Sequence, residues 1–158
     1  MKRNPFVGTD RVSREIPHPG FEAAGADAIA MINAPRAICI DYQTRRPIIG
    51  NKIGALSGPA IKQMAVYMIW EVYRTVKIPI IGMGGVADFR DVIEFMAAGT
   101  RAVAFGTVNY VDPLALPRAL VDLTAYLEEN GIADVNSLVG AAHAEAAITA
   151  IVTELMPA

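Results

Sequence analysis

The chain has 158 residues, of which 53% are hydrophobic and 19% charged, so it can fill the core of one domain and does not have the composition of a disordered chain. Its net charge of -2, with scattered Lys and Arg, argues against a nucleic-acid surface, and its single cysteine excludes an internal disulfide. No apolar run reaches the roughly 20 residues that span a bilayer, and no secretory signal follows the basic start. We therefore expect a soluble cytoplasmic protein.

The first half of the sequence predicts a strand, a hairpin and a helix after an irregular N-terminal segment. Residues 1–22 contain several prolines and no clean periodicity, and the domain proper is expected at 23–158. A strand is predicted within 26–33, and a hairpin or irregular excursion within 38–50, with its turn at 44–47. A helix over 59–76 follows, because Pro59 suits a first helical turn and apolar residues recur at helical spacing. That stripe comprises Ile61, Met64, Ala65, Met68, Ile69, Val72 and Val76.

The second half continues the alternation of short apolar runs and amphipathic segments, which is typical of βα units. Residues 78–81 are apolar enough to predict a strand covered on both faces. Asp88 is expected to cap a helix that ends near Ala98, before Gly99. Another strand is predicted at 102–105, then a helix opened by Asp112 whose leucines face the core, and a helical tail over 135–156. Those leucines are Leu116, Leu120, Leu123 and Leu127.

Glycines follow two successive predicted strands, in "IPIIGMGGVAD" (78–88) and "AVAFGT" (102–107). In α/β folds, ligands bind beyond the carboxyl ends of the strands, and glycine lets backbone N–H groups approach phosphate oxygens. Each glycine alone is equally well explained by a tight turn. Because the two groups are one βα unit apart, together they favour a phosphate site.

Several segments resemble the carboxyl-terminal half of class 1 dihydroorotate dehydrogenases, most closely the 1B type. They are "AGADAIAMIN" (24–33), "DYQTRRPIIGNKIGALSGPAIK" (41–62), "IPIIGMGGVAD" (78–88), "AGTRAVAFGTVNYVDP" (98–113) and "NSLVGAAH" (136–143). The resemblance implies an α/β fold, specifically about the last three βα units of an FMN-containing (βα)8 TIM barrel. It also implies oxidation of dihydroorotate to orotate in pyrimidine biosynthesis, with FMN as cofactor.

Carried over residue by residue, the resemblance implies a cofactor site and one substrate ligand. Gly58, Gly84, Gly85, Gly106 and Thr107 would hold the phosphate and ribityl region of FMN, and Ile32 would line the flavin. Asn33 would hydrogen-bond the substrate. The family usually has Thr or Ser after this asparagine, whereas Ala34 here removes a hydroxyl and puts orotate binding in doubt.

No catalytic residue is assigned, because the family's mobile loop with its proton-accepting cysteine has no counterpart in this sequence. Cys39 falls in a different segment and is interpreted as a small buried residue, and His143 as a helix-surface or satisfied core residue. Lys62 is interpreted as a solvated residue of a first helical turn. Two histidines and one cysteine far apart in sequence predict no metal site.

Three βα units cannot close a barrel, and a half-sheet has open edges and an uncovered apolar face. We therefore expect a homo-oligomer or a complementing chain, and an isolated chain that is inactive as an enzyme. Two alternatives remain: a phosphate- or flavin-binding half-barrel without turnover, and a scaffold fragment whose glycines only preserve the fold.

Overall fold

The computed structural model describes residues 20–144, which form an α/β structure around a three-stranded parallel sheet with strand order β1-β6-β7. Residues 1–19 and 145–158, which hold most of the expected irregular segment and of the tail, lie outside the described residues. The strands are β1 (Ile29–Met31), β2 (Arg36–Ala37), β3 (Ile40–Asp41), β4 (Arg46–Pro47), β5 (Gly54–Ala55), β6 (Ile80–Met83) and β7 (Ala102–Ala104). The helices are α1 (Gly20–Ala23), α2 (Lys62–Tyr73), α3 (Phe89–Ala98), α4 (Val108–Val111) and α5 (Ala115–Glu129).

The core lies between the parallel sheet and helices α2 and α3. Along β6, Ile80 and Gly82 are buried, whereas Ile81 and Met83 are only partly buried. The prediction of a strand at 78–81 covered on both faces is therefore wrong in two respects, because the strand begins two residues later and one of its faces is partly open. The buried face packs on α2 and α3 through a cluster that includes Met31, Ile61, Ala65, Ile69, Val72 and Phe95.

Most of the apolar stripe predicted for helix α2 packs in the core. A 3₁₀ turn at Pro59–Ile61 precedes it, and the helix ends at Tyr73 rather than at 76. Ala65, Ile69 and Val72 are fully buried, as predicted, but Met64 is 38% exposed and does not belong to the core. No described element packs over that side of the helix closely enough to bury it.

Helix α3 has the predicted start and end. Asp88 caps it by accepting hydrogen bonds from the backbone N–H groups of Arg90 (2.9 Å) and Asp91 (3.4 Å). Asp91 returns the interaction by accepting from the N–H of Asp88, so the two residues form a capping box. Gly99 ends the helix with φ 125°, a conformation that favours glycine.

The prediction for α5 is wrong for the first half of its apolar stripe, whereas Leu123 and Leu127 in the second half are partly buried. Ala115 and Ala119 contact the rest of the structure and are buried, whereas Leu116 and Leu120 are 51% and 65% exposed. The buried stripe is displaced by one residue from the predicted one, which is about 100° around a helix. Small alanine side chains let α5 approach the rest of the structure closely, and the described residues offer no layer to cover Leu116 and Leu120.

An excursion between β1 and α2 consists of two short antiparallel pairs, β2 with β5 and β3 with β4. The predicted hairpin is confirmed, but its turn lies at 42–45, where Asp41 accepts from Gln43 N (2.9 Å) and Thr44 Oγ1 (2.8 Å). Cys39 is exposed, so its interpretation as a buried residue is wrong. The hairpin carries it away from the sheet into a segment that no described element covers.

The described part of the tail forms two 3₁₀ turns, Val135–Leu138 and Ala141–His143, instead of the expected helix. His143 is a satisfied, half-buried residue, as predicted. Its ring stacks on Trp70 with centroids 3.6 Å apart, and its Nε2 lies 3.1 Å from the carbonyl oxygen of Ala98. None of the helices within 20–144 combines the length and apolar character needed to cross a bilayer.

Replacement of Gly82 by alanine tests how closely the helices pack on the sheet. A Cβ at this position would lie 2.7 Å from Phe95 Cδ1, inside van der Waals contact. We expect Gly82→Ala to lower the free energy of unfolding by about 1–3 kcal/mol, the usual cost of overpacking. Gly50→Ala is the matched control, since nothing lies within 4 Å of its Cβ position. Equal denaturation midpoints for the two variants would contradict this packing.

The cap of α3 predicts a pH dependence of stability. The hydrogen bonds from Arg90, together with those from the helix N–H groups, lower the pKa of Asp88. The folded pKa therefore lies below the unfolded one, so the stabilisation is present above about pH 4 and is lost as the pH falls through the folded pKa. Asp88→Asn retains a capping oxygen but does not titrate. We expect urea titrations between pH 2 and pH 6 to show a shallower stability loss for this variant than for the unmodified chain.

Candidate phosphate-binding cleft

One cleft of about 500 Å³ lies at the carboxyl ends of the three parallel strands. The loop that precedes α2 and the loop that follows β6 both line it. All seven residues to which the sequence assigns a binding role line this cleft, namely Ile32, Asn33, Gly58, Gly84, Gly85, Gly106 and Thr107. The structure therefore brings together residues that are as much as 75 positions apart in sequence, from Ile32 to Thr107.

Gly84 and Gly85 are required by the packing of the cleft wall itself. Both have positive φ, at 122° and 83°, where other residues are strained. A Cβ on Gly85 would lie 2.8 Å from the carbonyl oxygen of Gly58 and 2.9 Å from the backbone nitrogen of Lys62. The loop after β6 thus touches the loop before α2 backbone to backbone.

Gly58 and Gly106 differ from this pair, because a Cβ on either residue would meet nothing within 4 Å. Gly58 still has a conformational reason to be glycine, since its φ is 84°. Gly106 has neither a positive φ nor a close neighbour. Among the four glycines, it is the one whose identity the described packing does not explain.

Backbone donors are available at this end of the sheet. No acceptor within residues 20–144 pairs with the N–H groups of Gly85, Gly106 or Thr107. The carbonyl oxygens of Gly106 and Thr107 accept from Asn109 (3.1 Å) and Tyr110 (3.1 Å), which fixes the loop into the first turn of α4. Unpaired N–H groups beside exposed backbone are the usual means of binding an anion without a side-chain cation.

Ile32 and Asn33 come directly after β1 and reach the cleft from the side opposite β7. Ile32 is 4% exposed, donates its N–H to Met83 O (3.0 Å) and packs on Gly84. The side-chain oxygen of Asn33 accepts from the N–H of Ala34 (2.8 Å), so its amide nitrogen is the group left for a ligand. Ala34 also lines the cleft, and its methyl group offers no hydroxyl.

Within the described part of the chain, no charged side chain lines the cleft. Lys62 is the basic residue nearest in sequence to the lining residues, since it follows Ile61 directly. Its Nζ binds Asp91 Oδ1 and Glu94 Oε2, both at 2.7 Å. The two carboxylates raise the pKa of Lys62, so it stays protonated at neutral pH. Its interpretation as a solvated surface residue is wrong, because only 24% of its side chain is exposed and two acceptors hold it.

Sequence reasoning missed the apolar lining and the acidic partner of Lys62. Met83, Phe105 and Val111 line the cleft, and Ser57 adds a hydroxyl. Asp88 and Asp91 are three residues apart at the start of an apolar helix, and this spacing is typical of a capping box. Nothing in the sequence indicates that Asp91 also binds a lysine 29 positions away.

Comparison with known proteins connects this cleft to one family. The family described as dihydroorotate dehydrogenase matches residues 13–127. A dihydroorotate dehydrogenase B (NAD(+)) catalytic subunit of Desulforudis audaxviator is 53% identical over 120 residues, which are 76% of this chain and 39% of the relative. The corresponding subunit of Desulforamulus reducens is 49% identical over 122 residues, or 77% of this chain and 40% of the relative.

The fold agrees with this assignment. The structure of DHODH from Eimeria tenella in complex with ferulenol matches with a TM-score of 0.63 and 25% identity, over 78% of this chain and 33% of that one. The ligand-free structure of the Eimeria enzyme matches with a TM-score of 0.70 over 88% of this chain and 39% of that one; at 24% identity it shows the fold alone. This sequence thus spans about two fifths of the curated relatives, and over that span it belongs to the dihydroorotate dehydrogenase family.

Proposed function

We propose that this region binds the phosphate end of FMN within a dihydroorotate dehydrogenase that oxidises dihydroorotate to orotate in pyrimidine biosynthesis. The observation that supports the proposal is the cleft itself. Its lining within residues 20–144 is uncharged, and the N–H groups of Gly85, Gly106 and Thr107 have no hydrogen-bond acceptor among those residues. Family membership supports the same chemistry. The cleft volume of about 500 Å³ lies in the range of about 300–1,000 Å³ that is usual for small-molecule sites.

We infer that the three parallel strands are about the last three βα units of a (βα)8 barrel. Each strand leads into a segment that returns through a helix, and the functional residues all lie at the carboxyl ends, as in such barrels. The partly open face of β6 would then face the barrel interior. Strands from outside this sequence would be needed to cover it.

Each group in the cleft has a role in this proposal. Gly58, Gly84, Gly85, Gly106 and Thr107 would hold the phosphate and ribityl chain through backbone N–H groups, and the Thr107 hydroxyl adds a donor. Ile32 would give the flavin an apolar wall that excludes water. FMN, when bound, would supply the acceptor for the hydride that dihydroorotate loses. Asn33 would orient the substrate through its amide nitrogen, which Ala34 cannot assist with a hydroxyl.

Among residues 20–144, none that lines the cleft can take up the proton that dihydroorotate must also lose, since none carries a titratable carboxylate, imidazole or thiol. Cys39, the single thiol of the sequence, lies on the hairpin excursion and not in the cleft. We propose that turnover requires residues other than these lining residues, and that the chain by itself is inactive. The chain by itself has two alternative functions. It could bind phosphate or flavin as a half-barrel without turnover, or serve as a scaffold fragment.

We further propose a cytoplasmic protein that works as a homo-oligomer or with a complementing chain. Relatives named as catalytic subunits support an assembly with another subunit. Exposed apolar side chains on the excursion also support a covered surface, since large apolar patches on a lone chain favour association. They include Ile38, Ile40, Tyr42, Ile48 and Ile53, which are all more than half exposed.

Flavin binding tests the proposed cofactor and the site together. We expect the purified chain to quench FMN fluorescence and to bind FMN more tightly than riboflavin, which lacks the phosphate. Gly106→Asp should lower FMN affinity at least about tenfold by charge repulsion, with little change in stability because its Cβ position is open. Gly50→Asp, on the excursion, is the charge-matched control. Equal affinities for FMN and riboflavin in the unmodified chain would contradict a phosphate site.

Addition of dihydroorotate to the flavin-loaded chain separates the catalytic from the non-catalytic function. Because none of the described lining residues can accept a proton, we expect the visible absorbance of the oxidised flavin to stay constant under anaerobic conditions. Dithionite serves as the positive control for reduction. Bleaching by dihydroorotate at a steady rate would show that the sequence alone suffices for chemistry and would overturn this expectation.

A further inference from the structure

Asp91 connects the two loops that form the cleft walls, although it does not line the cleft itself. It is the third residue of α3 and is 9% exposed. Its Oδ2 accepts from the backbone N–H groups of Ala87 (2.8 Å) and Asp88 (3.3 Å), which ends the loop that begins at Gly84. Its Oδ1 accepts from Lys62 Nζ at 2.7 Å. One carboxylate therefore fixes the loop after β6 to the first residue of α2.

Lys62 meets the same loop a second time through its backbone. Its nitrogen and Cα lie 2.9 and 3.0 Å from where a Cβ on Gly85 would be. Gly58, four residues earlier, contacts Gly85 through its carbonyl oxygen, and that oxygen also accepts from Ile61 N (3.1 Å). The ion pair and the backbone contact thus hold the same two segments together from two sides.

Lys62 differs from the other cations that form ion pairs within the described residues, because both of its partners, Asp91 and Glu94, lie far from it in sequence. Arg118, which pairs with Asp112, is 59% exposed. Arg90 with Asp88, and Arg74 with Glu71, join neighbours in sequence and leave the arginine 77% and 60% exposed. Lys62 and Asp91 are 29 positions apart, with side chains only 24% and 12% exposed. Exposed local pairs contribute little, whereas loss of one partner of a part-buried pair leaves a desolvated charge.

We propose that Lys62 and Asp91 are positioning residues that set the spacing between the Gly58 loop and the Gly85 loop, and so the geometry of the phosphate site. The inference rests on the proposed function for its ligand, but its structural part stands on the two loops alone. Neither side chain lines the cleft, so neither touches the cofactor. Their effect on binding passes through the backbone N–H groups that they place.

The test uses two readouts on Lys62→Met and Asp91→Asn. In Lys62→Met the Asp91 carboxylate is no longer held at Oδ1, and in Asp91→Asn an uncharged amide oxygen replaces the charged acceptor of the Ala87 and Asp88 N–H groups, so the hydrogen bonds that fix the loop are weakened. We expect hydrogen exchange at the amides of Ala87 and Asp88 to accelerate at least about tenfold in native conditions, the size expected for a charge-assisted hydrogen bond. The ratio of FMN affinity to riboflavin affinity should also fall about tenfold. A general loss of stability would lower the affinities for FMN and for riboflavin by the same factor and leave their ratio unchanged.

Two further variants complete the design. Lys62→Arg keeps the cation between the same carboxylates and should restore both readouts. Glu71→Gln removes the exposed pair with Arg74 on the same helix and should change neither. Unaltered exchange at Ala87 in Lys62→Met and Asp91→Asn, or an unaltered affinity ratio in a chain that binds FMN, would overturn the inference. If the unmodified chain binds no flavin, the proposed function fails, while the exchange rates alone still decide whether the pair positions the loops.

Discussion

The structure depends on two glycines, Gly82 within its central strand β6 and Gly85 just after it. Gly82 lets Phe95 and Ile69 pack directly on the sheet, and Gly85 lets the next loop touch the backbone before α2. A methyl group at either position would push a helix or a loop outward. Because the same strand pairs with both β1 and β7, such a shift would reach every element that borders the cleft.

This constraint separates two kinds of glycine that look alike in the sequence. Gly84 and Gly85 are needed for close packing and for positive φ whether or not a ligand binds. Gly106 satisfies neither condition, so the described packing would accept a side chain there and only a ligand in the cleft would require a glycine. The proposed phosphate site therefore depends more on Gly106 and on the N–H of Thr107, which has no acceptor within residues 20–144, than on the glycines at 82–85.

The sequence predicts elements well where local signals and packing agree. Asp88 and Gly99 bound α3 as expected, because capping and positive φ are decided within a few residues. It predicts poorly where a neighbour decides the outcome. Leu116 and Leu120 have helical spacing, but the face of α5 that is buried depends on how closely α3 can approach its alanines. Cys39 is exposed because the hairpin leaves the sheet, which no composition rule foresees. The seven residues proposed for the site were assigned through a family resemblance, whereas only the structure shows the Lys62–Asp91 pair.

A cleft without charged side chains has a consequence for how it would select its ligand. Backbone N–H groups do not titrate, so their attraction for an anion is constant over the pH range in which carboxylates and imidazoles change charge. The nearby ammonium of Lys62 cannot take the place of those donors, because Asp91 and Glu94 both hold it and raise its pKa. Affinity then depends on how accurately the loops present their N–H groups rather than on net charge. In such a site, the residues that fix the loops matter as much as the glycines that form them.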